Sequence, residues 1–375
     1  MKNWISLNMT PGVGPRKATQ LLESFGSAEN VFGALRSELE SLRLRPETIQ
    51  SILKKEFHDK AAGELEKVKR LGGDVLILDD GSYPALLREI VDPPITLYVK
   101  GNWQECFEEP CVGVVGSRLC STYGRNSAEM LSRDLAENGV CIVSGFARGI
   151  DSSAHIGAIN GKGKTIAVFG TGIDQVYPKE NIELVSSILD SGGAVVSQFP
   201  LGTPPLRENF PYRNRIISGL SLGVLIVEAS ERSGSLITAR LAMEQDREVL
   251  AIPGSITSKN SFGTNYLIKS GAKLVQQWQD VVIEFPREIA SEILPPGIDK
   301  EVFDKPDERE TEAPKGMSVV ERKVFRLLES DKHIHIDALL EKSGLSFGTL
   351  NNALVKLDLK NLILTLPGNN YARKA

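Results

Sequence analysis

The residues best suited to chemistry stand just after short apolar runs, where glycine, hydroxyl and arginine recur together. Val112–Val115 is followed by Gly116-Ser117-Arg118, and Val140–Val143 by Ser144-Gly145-Phe146-Ala147-Arg148-Gly149-Ile150-Asp151. Glycines let a backbone approach a phosphate closely, and an arginine fork grips it with two parallel hydrogen bonds. Thr165–Phe169 leads into Gly170-Thr171-Gly172-Ile173-Asp174 and then Tyr177-Pro178-Lys179-Glu180-Asn181. Past Ala194–Val196 come Arg207 and Phe210-Pro211-Tyr212-Arg213-Asn214-Arg215-Ile216-Ile217-Ser218-Gly219. Last, Glu228-Ala229 precedes Ser233-Gly234-Ser235-Leu236-Ile237-Thr238, whose small residues open a helix with free N–H groups, a ready anion site. Each piece also has a plain structural use: the glycines as turn residues, Arg148 paired with Asp151 inside the fold, Asn214 and Arg215 as caps and braces. Repetition at successive run ends favours a shared anion surface carrying Arg118, Arg148, Lys179, Arg207, Arg213 and Arg215.

The elements that must position these residues follow from the runs themselves. Val75–Leu78, Val112–Val115, Val140–Val143, Thr165–Phe169, Ala194–Val196, Gly223–Val227, Val249–Ile252 and Lys273–Val275 are continuously apolar, as strands buried on both faces are. Helical stretches alternate with them, which predicts βαβ units and a Rossmann-like, doubly wound, mostly parallel α/β sheet over 71–285. Ligands of such sheets bind outside the carboxyl ends of the strands, where the motifs lie. Residues 1–70 predict a small helical domain, with Leu21, Leu22, Phe25, Val31, Phe32 and Leu35 at helical spacing. Its Pro11-Gly12-Val13-Gly14-Pro15-Arg16-Lys17 is either a phosphate-holding turn of helix-hairpin-helix type or a tight turn between packed helices. Residues 286–315, rich in Pro, Asp and Glu, predict a solvated linker. Residues 316–375 predict three helices and a hairpin, hence a winged helix, in which Asn351, Asn352 and Lys356 form a thin basic complement on the recognition helix.

Composition narrows the function classes. A net charge of −4 gives no global footprint for nucleic acid, so any such site is a local patch. The four cysteines, Cys106, Cys111, Cys120 and Cys141, have no Cys-x-x-Cys spacing, and His333 and His335 stand far from them, so neither a metal site nor a disulfide framework is expected. No signal peptide and no membrane-spanning run is read, which predicts a cytosolic protein. There is no dinucleotide fingerprint and no Gly-x-x-x-x-Gly-Lys-Ser/Thr loop, so no cofactor is expected. His155, after Ser152 and Ser153 on a helix, reads as a packing residue, and no catalytic constellation emerges.

At Gly116-Ser117-Arg118, Ser144 to Asp151, Phe210 to Ile217 and Ser233 to Ala239 the sequence closely resembles the DprA family, also called Smf, and the resemblance extends over essentially the whole chain. It implies a non-enzymatic core that binds single-stranded DNA, homodimerises, and loads the recombinase RecA onto incoming strands during natural transformation. Carried over by position, the DNA pocket would comprise Gly116, Ser117, Arg118, Ser144, Gly145, Arg148, Gly149, Asp151, Lys179, Asn181, Arg207, Arg213, Asn214 and Arg215. The dimer surface would lie at Tyr266, Leu267, Ile268 and Leu274, whose types equally fit internal packing, and recombinase contact at Met243 and Glu244. Phe146, Tyr177 and Phe210 are candidates for base stacking or for core. Two other classes compete. The Rossmann-like nucleoside-monophosphate hydrolases once described as lysine decarboxylases carry Pro-Gly-Gly-x-Gly-Thr and a nearby Glu, but here Ala239-Arg240 follows the comparable helix start. A winged-helix transcription regulator would need a more basic Ser346–Leu357 helix.

Overall fold

The computed structural model describes residues 1–295, 317–330 and 332–374. Its centre is a nine-stranded sheet of β1 (Gly73–Ile77), β2 (Thr96–Gly101), β3 (Cys111–Val115), β4 (Cys141–Ser144), β5 (Thr165–Val168), β6 (Ala194–Ser197), β7 (Gly223–Ile226), β8 (Glu248–Ala251) and β9 (Lys273–Leu274). The spatial order is β1-β2-β6-β5-β4-β3-β7-β8-β9. Neighbours from β6 through to β9 pair in parallel, whereas β2 runs antiparallel to both β1 and β6. The strand β2 has no counterpart among the apolar runs read from the sequence. Its Thr96-Leu97-Tyr98-Val99 stretch is buried, but it follows the Pro93-Pro94 pair and lies in no βαβ alternation.

Alternation along each strand divides the core into two layers. Val112 and Val114 of β3 face one layer with Leu131, Leu135, Ile150 and Ala154 of the helices Thr122–Glu137 and Ile150–Asn160. Cys111 and Val115 face the other, with Ile216, Ile217 and Ala239 of the helices Asn209–Gly219 and Ser235–Glu244. Burial of each such side chain stabilises the fold by roughly 1.5–3 kcal/mol. From β3 the chain steps outward through β4, β5 and β6, then returns to place β7 on the other side of β3. That reversal opens a crevice between the carboxyl ends of β3 and β7.

The N-terminal helices share core with the sheet: Ile5, Ala61 and Val68 pack with Val75, Tyr98 and Ala167, and Ile95 joins the cluster around Leu21 and Leu39. The solvated linker expected over 286–315 is corrected at its start. Arg287–Ile293 is a helix whose buried Ala290, with Ile289 and Ile293, packs onto the Trp278–Phe285 side of the core, because its apolar residues recur at helical spacing among the acidic ones. Pro296, Gly297 and the acidic stretch from Asp304 to Glu310 lie outside the described residues. The final segment is a winged helix: helices Val319–Leu327, Ile336–Ser343 and Phe347–Leu359 with a three-stranded sheet of Ile334–His335, Ile363–Leu366 and Asn370–Arg373. His335 caps the second helix, its Nδ1 accepting the Asp337 N–H at 3.3 Å. No helix among the described residues is long and apolar enough to cross a membrane, and no cluster of three metal-ligating side chains occurs among them.

Candidate nucleic-acid interface

The crevice between β3 and β7 is a cleft of ≈ 730 Å³. One wall is Gly116, Ser117, Arg118 and Leu119 after β3; the facing wall is Ser230, Arg232, Ser233, Gly234 and Ser235 after β7; the lip Pro205, Arg207, Phe210 and Pro211 closes a third side. Four arginines, Arg118, Arg207, Arg213 and Arg232, line it against a single carboxylate, Asp151. The overall negative charge of the chain therefore hides a locally cationic cleft. Arg118, Arg207 and Arg232 are exposed and enter no ion pair among the described residues.

Backbone freedom at one glycine makes the wall possible. Gly149 adopts φ +76°, a left-handed conformation that side chains disfavour, and a Cβ there would strike the carbonyls of Ser117 and Arg118. Without it the Ser144–Gly149 loop cannot approach the Gly116–Arg118 loop, and the Ile150 N–H could not donate to the Ser117 carbonyl at 3.3 Å. Beside this wall Arg118 lies 5.5 Å from the centre of the Phe210 ring, which is itself 5.5 Å from the Tyr177 ring. Tyr177 is half exposed, so a cation and two neighbouring rings stand together along one rim.

The floor is built differently. Asp151 is buried, its Oδ2 accepting the Ala147 N–H at 3.2 Å, and desolvation raises its pKa while the nearby Arg213 opposes the rise. Arg213 is 2% exposed and donates from Nη1 to the Gly145 carbonyl at 2.6 Å, leaving Nε without a partner. Burial pulls its pKa down to about 10. Beneath it His155, fully buried, has its pKa pulled down to about 3 by desolvation and by the Arg213 charge, and its Nδ1 contacts the Thr165 hydroxyl at 2.7 Å. This agrees with the packing role read from the sequence.

Several expected contacts are corrected by these positions. Arg215 is 3% exposed: Nε donates to the Asp92 carbonyl at 3.0 Å, Nη1 to the Tyr212 carbonyl at 2.8 Å and Nη2 to Gln198 Oε1 at 2.6 Å. With three of its five N–H donors committed inside the fold and the side chain buried away from the cleft lining, it does not reach a phosphate there. Ser144 is buried and donates to the Val114 carbonyl at 2.6 Å, so its hydroxyl ties β4 to β3. Phe146 is 1% exposed and packs 4.9 Å from Phe169, so it belongs to the core. Arg148 pairs with Glu180, not with Asp151, and Glu228 spends its carboxylate on the Ser121 N–H at 2.9 Å and Asn260 Nδ2 at 3.3 Å.

The cleft thus gathers Gly116, Ser117, Arg118, Asp151, Arg207, Arg213 and Asn214. Gly145 and Arg148 line a smaller adjoining hollow with Arg118, Tyr177 and Phe210. Lys179 and Asn181 stand outside both on a short 3-10 turn, where Asn181 Nδ2 donates to Ser152 Oγ at 2.9 Å. Arg232, Ser230 and Asn260 were not singled out from the sequence. Only Arg232 left a signal, an arginine immediately before the Ser233-Gly234-Ser235 helix start; Asn260 comes from a distant loop. On the opposite sheet edge Tyr266 is 60% and Leu274 38% exposed, while Leu267 is buried and Ile268 half-buried against the core, because the Phe262–Lys269 helix turns them inward. Met243 and Glu244 are exposed at the end of the Ser235–Glu244 helix.

A doubly wound sheet with a cationic switch-point cleft and an appended winged helix defines an α/β protein whose strand ends offer cationic groups to an anion. Residues 74–286 match the family DNA recombination-mediator protein A, and residues 308–369 match the DprA winged helix domain. The chain belongs to the DNA recombination-mediator protein A family. It is 39% identical over 297 residues to Protein Smf of Escherichia coli, covering 79% of this chain and 76% of that protein. To the DNA processing protein DprA of Streptococcus pneumoniae it is 51% identical over 209 residues, 56% of this chain and 73% of the relative. The solved structure of the Streptococcus pneumoniae protein superposes with a TM-score of 0.66 at 40% identity, over 76% of this chain and 98% of that one. A Helicobacter pylori DNA processing protein A structure, described for its single-stranded DNA binding mode, gives 0.51 at 29% identity, over 57% and 97%.

Proposed function

We propose that the cleft binds single-stranded DNA without sequence preference, and that the protein is a non-enzymatic, cytosolic mediator that protects the strand and loads RecA onto it. The observation that carries this is the rim: exposed Arg118, Arg207 and Arg232 share an open cleft with the neighbouring rings of Tyr177 and Phe210. Cations track phosphates and flat rings accept stacked bases, each stack contributing about 1–3 kcal/mol, whatever the base. The Helicobacter pylori relative's single-stranded DNA binding supports the same ligand here. A hydrolase reading is disfavoured because the one carboxylate in the cleft, Asp151, is buried against Arg213 and the Ala147 N–H.

In this reading Arg118, Arg207 and Arg232 neutralise phosphates, and the Ser117 and Gly234 N–H groups add neutral donors, those of Gly116 and Ser235 being taken by Asp151 and by Ser233 Oγ. Arg148 joins when it leaves Glu180, with Lys179 and Asn181 as outlying contacts. Tyr266 and Leu274 form the homodimer surface beside the edge strand β9, with Leu267 and Ile268 supporting them from beneath. Met243 and Glu244 are the recombinase contact. The test is binding of a fluorescent oligonucleotide, single-stranded against duplex, at two salt concentrations. A salt-sensitive preference for the single strand is expected; equal affinity for the duplex, or none for either, would overturn the reading.

A further inference from the structure

The lip of the cleft has an outer side. Pro205, Arg207, Phe210 and Pro211 face the cleft, but the next residue, Tyr212, turns away and remains 39% exposed. Its ring is held from behind by Arg215, whose guanidinium carbon lies 4.2 Å from the ring centre, and flanked by Phe199 at 6.5 Å. Its hydroxyl meets the N-terminal turn: a Cβ built on Gly14 would sit 3.7 Å from the Tyr212 Oη. The turn is rigid, since Gly12 is left-handed at φ +82° and Thr48 Oγ1 donates to the Pro11 carbonyl at 2.8 Å. Two residues beyond Gly14, Arg16 is exposed, close enough for its charge to act on the Tyr212 phenol, and in no ion pair among the described residues. The neighbouring Lys17 is spent on Gln20 Oε1 at 2.9 Å and the Leu42 carbonyl at 3.3 Å. Asp92, the acid whose charge acts on the Tyr212 phenol, is already paired with Arg215 at 3.6 Å.

We propose that Tyr212 and Arg16 form a second subsite for the nucleic-acid strand, carrying it out of the cleft over the Pro205–Pro211 lip and onto the N-terminal helices. The inference rests on the single-strand reading of the cleft and is continuous with it. An exposed ring clamped from behind by a cation offers its free edge and face to a base, and one unpaired arginine beyond it meets the following phosphate. The fixed turn places both on the same surface, so the N-terminal segment adds length to the binding path, not a separate site.

The test uses the full chain and oligothymidylates of about 4 and about 16 nucleotides, the range one such binding surface occupies. Arg16→Glu should weaken the long oligonucleotide by roughly fivefold or more and lower its salt slope by about 0.7, the share of one phosphate on a single strand. The short one should bind as to wild type. Arg118→Ala should weaken both lengths. If Arg16→Glu leaves the long oligonucleotide unaffected, or weakens both lengths equally, the second subsite is overturned while the cleft stands. If Arg118→Ala changes neither, it is the reading of the cleft that has failed.

Discussion

The rim and the floor of the cleft use the same residue type to opposite ends. Arg118, Arg207 and Arg232 on the rim are exposed and enter no ion pair among the described residues, whereas Arg213 on the floor and Arg215 behind the lip, on the same turn of the Asn209–Gly219 helix, are buried and bonded to the carbonyls of Gly145 and Asp92. A guanidinium contributes to ligand binding only with the donors that the fold leaves over. Where desolvation has been offset by internal partners, the charge holds loops in place: Arg213 ties the helix to the loop after β4, and Arg215 ties it to Asp92 and Gln198. The rim can change affinity without changing stability, and the floor should do the reverse.

The largest expected effect tests the buried arginines. Arg215→Met removes one partner of a buried ion pair and orphans Gln198 Oε1 and the Asp92 carbonyl, and should cost about 3–5 kcal/mol in denaturant unfolding. Next comes the rim: Arg118→Ala with Arg207→Ala and Arg232→Ala should lower single-strand affinity by about a hundredfold and reduce the salt slope by about 2, at 0.7 per phosphate, with the unfolding midpoint unchanged. A shifted midpoint in that variant, or lost affinity without lost stability in Arg215→Met, would erase the distinction.

A pH measurement sharpens it further. His155 is held neutral in the fold, its pKa drawn from 6.5 to about 3, so on acidification the unfolded chain takes up a proton that the native state refuses. Stability should then fall as pH drops below 6.5, by about 1.4 kcal/mol per pH unit at most for that one proton, with His58 adding a smaller loss of the same sign. His155→Phe should flatten this slope between pH 6.5 and the carboxylate range. The smallest effect lies on the exposed flank: Glu180→Gln releases Arg148 from its ion pair and removes a negative charge, so single-strand affinity should rise by a factor of about two, with no change in unfolding.

Much of the architecture was legible because strands buried on both faces must be apolar throughout and must be stopped by residues that turn. Eight of the nine strands could be read in this way; β2 could not, since its antiparallel insertion between β1 and β6 breaks the βαβ rhythm. The glycine-arginine motifs located the site, because in a parallel sheet every strand's carboxyl end lies on one side. Residue types also marked His155 for packing and found the helix start at Ser233-Gly234-Ser235.

What only the tertiary structure decided is which charges remain available. The motif Arg213-Asn214-Arg215 reads as a source of phosphate contacts or as internal braces, and the helix turns both arginines toward loops whose carbonyls lie far off in the chain, at Gly145 and Asp92. Arg232 and Asn260 enter the cleft because β7 lies beside β3, a neighbour relation fixed by the return of the chain past β6 and invisible to local pattern. Sequence determines a side chain's chemistry and its local element. Its remaining hydrogen-bonding capacity depends on long-range neighbours, and packing alone supplies those.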